Sequence, residues 1–130
     1  WAEGAARVLV LASPHTSGFA DRLALPGEVT IFDAIPGVRT LSIFGPTHER
    51  APVVSFTIDG WAAEDVSRVL SEDYGIGVRD GRFCAHILVD ALLERRGSAH
   101  TSAVRASLGL ANTPAHVDHL VAAVRELANR

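Results

Sequence analysis

The chain contains no lysine: all twelve residues counted as Lys+Arg are arginine, although lysine is among the commonest residues of average proteins. No side-chain amine is present to form a Schiff base. Methionine is also absent and the chain opens at Trp1, as expected of a processed, trimmed or partial polypeptide. A single cysteine, Cys84, excludes an internal disulfide and a zinc site of the CxxC kind. The longest apolar run, Val8 to Ala12 with its neighbours, falls far short of the about 20 residues a membrane span requires. No charged-then-apolar leader opens the chain, so a cytoplasmic, membrane-free protein is expected. Basic excess is missing as well: the formal net charge is -3, which argues against nucleic-acid binding.

What remains is the composition of one globular domain. The 130 residues are 48% hydrophobic and 21% charged, and a chain of this length buries roughly two thirds of its unfolded surface around one core. No repeat or low-complexity tract interrupts it.

From the middle onward, local patterns define elements. Thr40 to Phe44 (TLSIF) and Pro52 to Ile58 (PVVSFTI) are rich in β-branched and aromatic residues and flank the turn-like GPTHERA; they read as antiparallel strands. Ala62 to Asp73 repeats Ala62, Val66, Val69 and Leu70 at helical spacing, with Glu64 and Asp65 in the first turn, where negative charge suits the helix dipole. Gly75 to Val78 reads as a third strand and Ala103 to Leu108 as a fourth. Between them Leu88, Ala91 and Leu92 indicate a short helix ended by Gly97. The last helix opens with Thr113 as N-cap and Pro114 at its first position, and Val117, Leu120, Val121, Val124 and Leu127 make one stripe. Residues 1–32 form a separate segment of uncertain structure. Within it Ala2 to Ala12 is readable as a helix, SPHTSG as a breaker and LPGEVTIFD as a turn feeding a strand. The order predicts an α+β domain over residues 33–130: a small, mostly antiparallel sheet with helices packed on one face.

The residues able to carry chemistry cluster in GVRDGRFCAHIL, Gly77 to Leu88. Cysteine attacks as its anion, and cations at Arg79, Arg82 or His86 would favour that form. A lone cysteine is more often a small buried, inert hydrophobe. His116 and His119, three apart on the last helix, have the spacing of metal ligands, but no third ligand accompanies them and a solvated face accounts for both; no metal is expected. His15, His48 and His100 stand in turn-like segments without a signal, and no glycine-rich loop precedes a helix as a phosphate cradle requires.

Four blocks in order, PGVRTLSIFGP, VVSFTIDG, EDYGIGVRDGRFCA and AVRASLGLANT, the last followed by an amphipathic helix, resemble the C-terminal small domain of class V aminotransferase-like enzymes. These are fold type I, pyridoxal-phosphate-dependent proteins that include cysteine desulfurases and selenocysteine lyases. The resemblance implies an amino-acid substrate, a homodimer in the parent enzyme, and a large domain, missing here, that holds the cofactor and its lysine. It assigns no cofactor-binding residue to this chain. Arg105 in VRAS matches the arginine that binds the substrate α-carboxylate, and a planar guanidinium reads a carboxylate bidentately. Cys84 matches the cysteine of RxGxxCA that attacks the substrate sulfur, with Arg79 and Gly81 in register; Arg79 and His86 are the further substrate-binding candidates. Asn112 and Thr113 match the NT that opens the last helix. Phe83 stands where many desulfurases have histidine, and Ile87 where the block often has proline, so the loop is expected to suit another substrate. Three readings follow: C–S or C–Se cleavage; an aminotransferase or epimerase with Cys84 silent; and a non-catalytic, partial or degenerate module.

Overall fold

A computed structural model describes residues 32, 34–43, 53–109 and 111–130. Its elements are strand β1 (Val38–Thr40), strand β2 (Val53–Ile58), helix α1 (Ala63–Tyr74), strand β3 (Arg79–Gly81), helix α2 (His86–Arg95), strand β4 (Ala103–Ser107) and helix α3 (Pro114–Ala128).

Alternation along the strands separates the two faces of the sheet. Val54, Phe56 and Ile58 of β2, and Val104 and Ala106 of β4, join the apolar cluster; Ser55, Thr57 and Arg105 therefore point the opposite way. Helix α1 adds Ala63, Val66, Val69 and Leu70 to that cluster, and α3 adds Val117, Leu120, Val121, Val124 and Leu127. Phe32 closes one end, its ring 5.0 Å from that of Phe56. The two longer helices thus cover one face. Val89 and Leu93 of α2 are buried outside this cluster.

The four strands lie in the order β1-β2-β4-β3, and each neighbouring pair is antiparallel. Strand β4 enters between two strands laid down before it. Its register sets Arg105 opposite Ser55 of β2 on one side and Arg79 of β3 on the other. This is the α+β architecture that the element order predicts.

Several boundaries differ from the sequence reading. The first strand is Val38–Thr40 rather than Thr40–Phe44; the ladder reaches one residue further through a bond from the Leu41 N–H to the Ser55 carbonyl (2.8 Å). Gly75 to Val78 is not the third strand. Gly75 adopts φ 65° in the left-handed region and ends α1, while the Ile76 N–H folds back onto the Leu70 carbonyl at 2.8 Å. That helix closure occupies the residues expected to extend, so β3 begins only at Arg79. Helix α3 starts as read, with Thr113 as N-cap and Pro114 at its first position, and the Thr113 N–H donates to His116 Nδ1 (3.2 Å). The helix read over Ala2–Ala12, the strand within LPGEVTIFD apart from Phe32, and the strand ends at Phe44 and Pro52 lie outside the described residues.

Candidate active site

Cys84 sits in a four-residue turn between β3 and α2, closed by a bond from the Ala85 N–H to the Arg82 carbonyl (2.8 Å). Both central residues have positive φ, Phe83 at 55° and Cys84 at 60°, and Gly81, two residues before Phe83, has φ 103°. A left-handed conformation costs an L-residue with a Cβ roughly 1–2 kcal/mol, so surrounding contacts must hold this turn in place. Arg82 supplies one: its Nε donates to the Thr101 carbonyl at 3.1 Å and lies 3.0 Å from Asp90 Oδ1. The sequence reading set Arg82 beside the thiol as a cation. The structure instead ties it to the approach to β4 and to α2, because Asp90, one helical turn into α2, neutralises it.

The turn aims consecutive side chains at two arginines of the sheet. Arg79 Nη2 donates to Cys84 Sγ at 3.8 Å, and the Arg105 guanidinium carbon lies 5.2 Å from the Phe83 ring centroid. Arg79 and Arg105 are Cα partners across β3 and β4, on the face that α1 and α3 leave uncovered. Neither forms an ion pair with a carboxylate among the described residues. Arg105 is half-buried, and its Nε is buried without a hydrogen-bond partner. Cys84 is exposed, so it is not the buried core thiol that the bland reading of a lone cysteine allowed.

The structure therefore brings together Cys84, Arg79 and Arg105. His86 does not join them: it is the exposed first residue of α2, and its side chain makes no hydrogen bond to another described residue. Asn112 closes the turn after β4, its Oδ1 accepting from the Gly109 N–H at 2.7 Å. His119 is held at the Tyr74 carbonyl, with Nε2 at 2.9 Å. Sequence reading missed the placement of Phe83 over Arg105; an aromatic beside a cysteine carries no local sign of the cation it will meet. It also missed a cleft of about 510 Å³, lined among others by Arg39, Asp59, Trp61, Arg96, His100 and Thr101. Arg39 is engaged there by Asp59 at 3.4 Å, and Cys84 and Arg105 lie outside that cleft.

On the sheet face opposite α1 and α3, Arg79 thus meets an exposed thiol and Arg105 an aromatic ring, and neither arginine pairs with a carboxylate of the described residues. Residues 28–120 match the model of the Aminotransferase class-V family, and the chain belongs to that family. It is 38% identical over 96 residues to a probable cysteine desulfurase of Halobacterium salinarum, covering 73% of this chain and 21% of that protein. It is 39% identical over 90 residues to a cysteine desulfurase of Yersinia pestis, covering 69% and 20% respectively. Among solved structures, the apo cysteine desulfurase of Thermococcus onnurineus superposes with a TM-score of 0.59 at 29% identity over 76% of this chain and 22% of that one. The cysteine desulfurase CsdA of Escherichia coli, in an S-sulfonic acid form, gives 0.55 at 27%, again over 76% and 22%. The chain thus spans about a fifth of the length of the relatives it matches.

Proposed function

We propose that this chain is the C-terminal, substrate-closing domain of a pyridoxal-phosphate-dependent enzyme that cleaves the C–S or C–Se bond of an amino acid. The observation that carries this reading is the arrangement of Cys84, Arg79 and Arg105: an exposed thiol held at Arg79, whose strand partner is Arg105, with no carboxylate of the described residues paired to either arginine.

The residues present do not fit the anchoring of the cofactor. With no lysine in the chain there is no side-chain amine for a covalent attachment, so the cofactor's seat belongs to residues outside these 130. What the chain supplies faces the substrate. Arg105 presents in-plane N–H donors to the α-carboxylate, and a charge-assisted, bidentate pair both binds and orients it. Arg79 is placed to stabilise negative charge on the Cys84 sulfur. That sulfur would take the substrate's sulfur or selenium, an S–S or S–Se bond forming as the C–S or C–Se bond breaks with its electron pair left on the carbon skeleton; pyridoxal phosphate, when bound, would supply the electron sink. Closure excludes water from these charges and strengthens each contact.

The test is Cys84→Ala in the full-length protein. Sulfide release from cysteine, assayed with excess added thiol as the two-electron reductant of the Cys84 persulfide, should be abolished, whereas binding of a competing amino acid should be retained, because thiol and carboxylate clamp are separate groups. Sulfide release equal to wild type would make the thiol silent, as in an aminotransferase or epimerase of the same family. Loss of release with selenocysteine cleavage retained would assign the attacking thiol to the sulfur substrate alone, since selenium is the better leaving group.

A further inference from the structure

Phe83 occupies a backbone conformation that its side chain disfavours. Positive φ suits glycine, or asparagine and aspartate with their short polar side chains, and a bulky residue there is an outlier. Phe83 has φ 55°. Glycine at this position would close the same turn without that cost, so the ring must gain something where it lies. It lies against Arg105, with the guanidinium carbon 5.2 Å from its centroid, within the reach of a cation–π contact.

Among the described residues, Arg105 has no other side-chain partner. Its Nε is buried with no hydrogen-bond partner, and the residue directly across β4 on one side is another arginine. An arginine side chain fixed by a carboxylate would have its donors already occupied. One fixed by an aromatic ring is held through the π-system and keeps its N–H donors for a ligand. The distance, the orphaned donor and the strained backbone are separate observations with one account.

We propose that Phe83 is a positioning residue: its ring holds the Arg105 guanidinium in place while leaving the donors open to the substrate carboxylate. The proposal rests on the reading of Arg105 as the carboxylate clamp. Because Phe83 and Cys84 are consecutive in one braced turn, the same strain that sets the ring over Arg105 sets the thiol over Arg79.

The experiment uses the full-length protein and two ligands: alanine, an amino acid with no sulfur to lose, and ethylamine, which lacks the carboxylate. Their binding is measured as competition with substrate. Phe83→Leu removes the ring's quadrupole, Phe83→Tyr keeps it, and site-specific replacement of the ring by its pentafluoro counterpart inverts it while preserving shape. Phe83→Leu and the fluorinated ring should each weaken alanine binding by about three- to tenfold and leave ethylamine unchanged. Phe83→Tyr should stay near wild type, and Phe83→Leu should add nothing in an Arg105→Ala background. A loss with Phe83→Leu but not with the fluorinated ring would mean that Phe83 only packs, and would overturn the proposal. Equal loss for both ligands would overturn it too, since a general structural role does not distinguish them. If Arg105→Ala weakens alanine selectively but neither Phe83 change does, the proposal for Phe83 fails and the carboxylate clamp stands. If Arg105→Ala treats the two ligands alike, the clamp itself fails and Phe83 has nothing to position.

Discussion

Arg79 and Arg105 stand directly opposite each other across β3 and β4, two guanidinium groups on one sheet face, neither paired with a carboxylate of the described residues. Like charges facing across a sheet are destabilising, and the remaining charges of the fold show that neutralisation is available elsewhere. Arg68 lies between Asp65 and Glu72 at 3.2 and 3.3 Å, and Arg130 has Glu126 at 3.0 Å. The opposed couple is therefore a local cost to the sheet.

That cost is measurable at Arg79. Arg79→Gln removes one of two opposed cations and should raise stability by about 0.2–1 kcal/mol, read as a higher thermal midpoint, while lowering activity with cysteine in the full-length protein. A lower midpoint would show that Arg79 contributes more to the fold through its bond to Cys84 Sγ than it costs beside Arg105.

At Arg105, truncation should act on carboxylate binding. Arg105→Ala in the full-length protein should raise KM for amino-acid substrates at least about tenfold, the factor that 1.4 kcal/mol corresponds to, since a hydrogen bond to a charged group contributes about 1.5–3 kcal/mol. Arg105→Lys should recover only part of this, because an ammonium offers a point charge instead of a planar fork. Full recovery by lysine would mean that charge alone matters there.

Gly75 tests the boundary that the sequence reading misplaced. A Cβ there meets no atom within 4 Å, so the penalty of Gly75→Ala comes from the backbone at φ 65° and should be about 1 kcal/mol, seen as a fall in thermal midpoint. No change would mean that α1 ends by some means other than its left-handed cap.

The acid limb of stability should depend on Glu126. Arg130 chiefly, then the Tyr74 hydroxyl, hold the Glu126 carboxyl below its ordinary value of 4.5, and the Arg130 Nη2 donor lies 3.0 Å from Glu126 Oε1 and 3.0 Å from the Tyr74 oxygen. A carboxyl with a depressed folded value stabilises the fold fully above its ordinary value and loses that contribution as pH falls through the folded one. Thermal midpoints followed from pH 7 to about pH 3 should therefore fall less steeply for Glu126→Gln than for wild type, with the difference shrinking in high salt because the pair is exposed. Parallel slopes would show that the pair does not couple to folding.

The absence of lysine gives the remaining expectation. After borohydride reduction of the full-length protein, a pyridoxyl adduct should map to a peptide outside these 130 residues. An adduct on any internal peptide of the chain would contradict the assignment of the cofactor's seat elsewhere.

The sequence by itself determined the elements whose causes are local. The apolar stripe of α3 with Thr113 and Pro114 at its start, the Val66–Val69–Leu70 face of α1, and the alternation of β2 follow from spacing and capping. The resemblance of the four ordered blocks nominated Cys84, Arg105, Arg79 and His86, of which the fold groups the first three and leaves His86 apart. Local patterns did not decide where β3 begins, because Gly75 is compatible with both a strand boundary and a helix cap, and the backward bond from Ile76 selects the cap. Nor did they decide the site. Arg82, two residues from Cys84, was drawn off to Asp90 and Thr101, while Phe83 met an arginine 22 residues further along the chain. The insertion of β4 between β2 and β3 brings Ser55, Arg105 and Arg79 into one row, and the positive φ angles of Phe83 and Cys84 turn ring and thiol toward the two arginines. Strand order and register depend on contacts between segments distant in sequence, and the turn conformation depends on anchors outside the turn; tertiary packing alone supplies both.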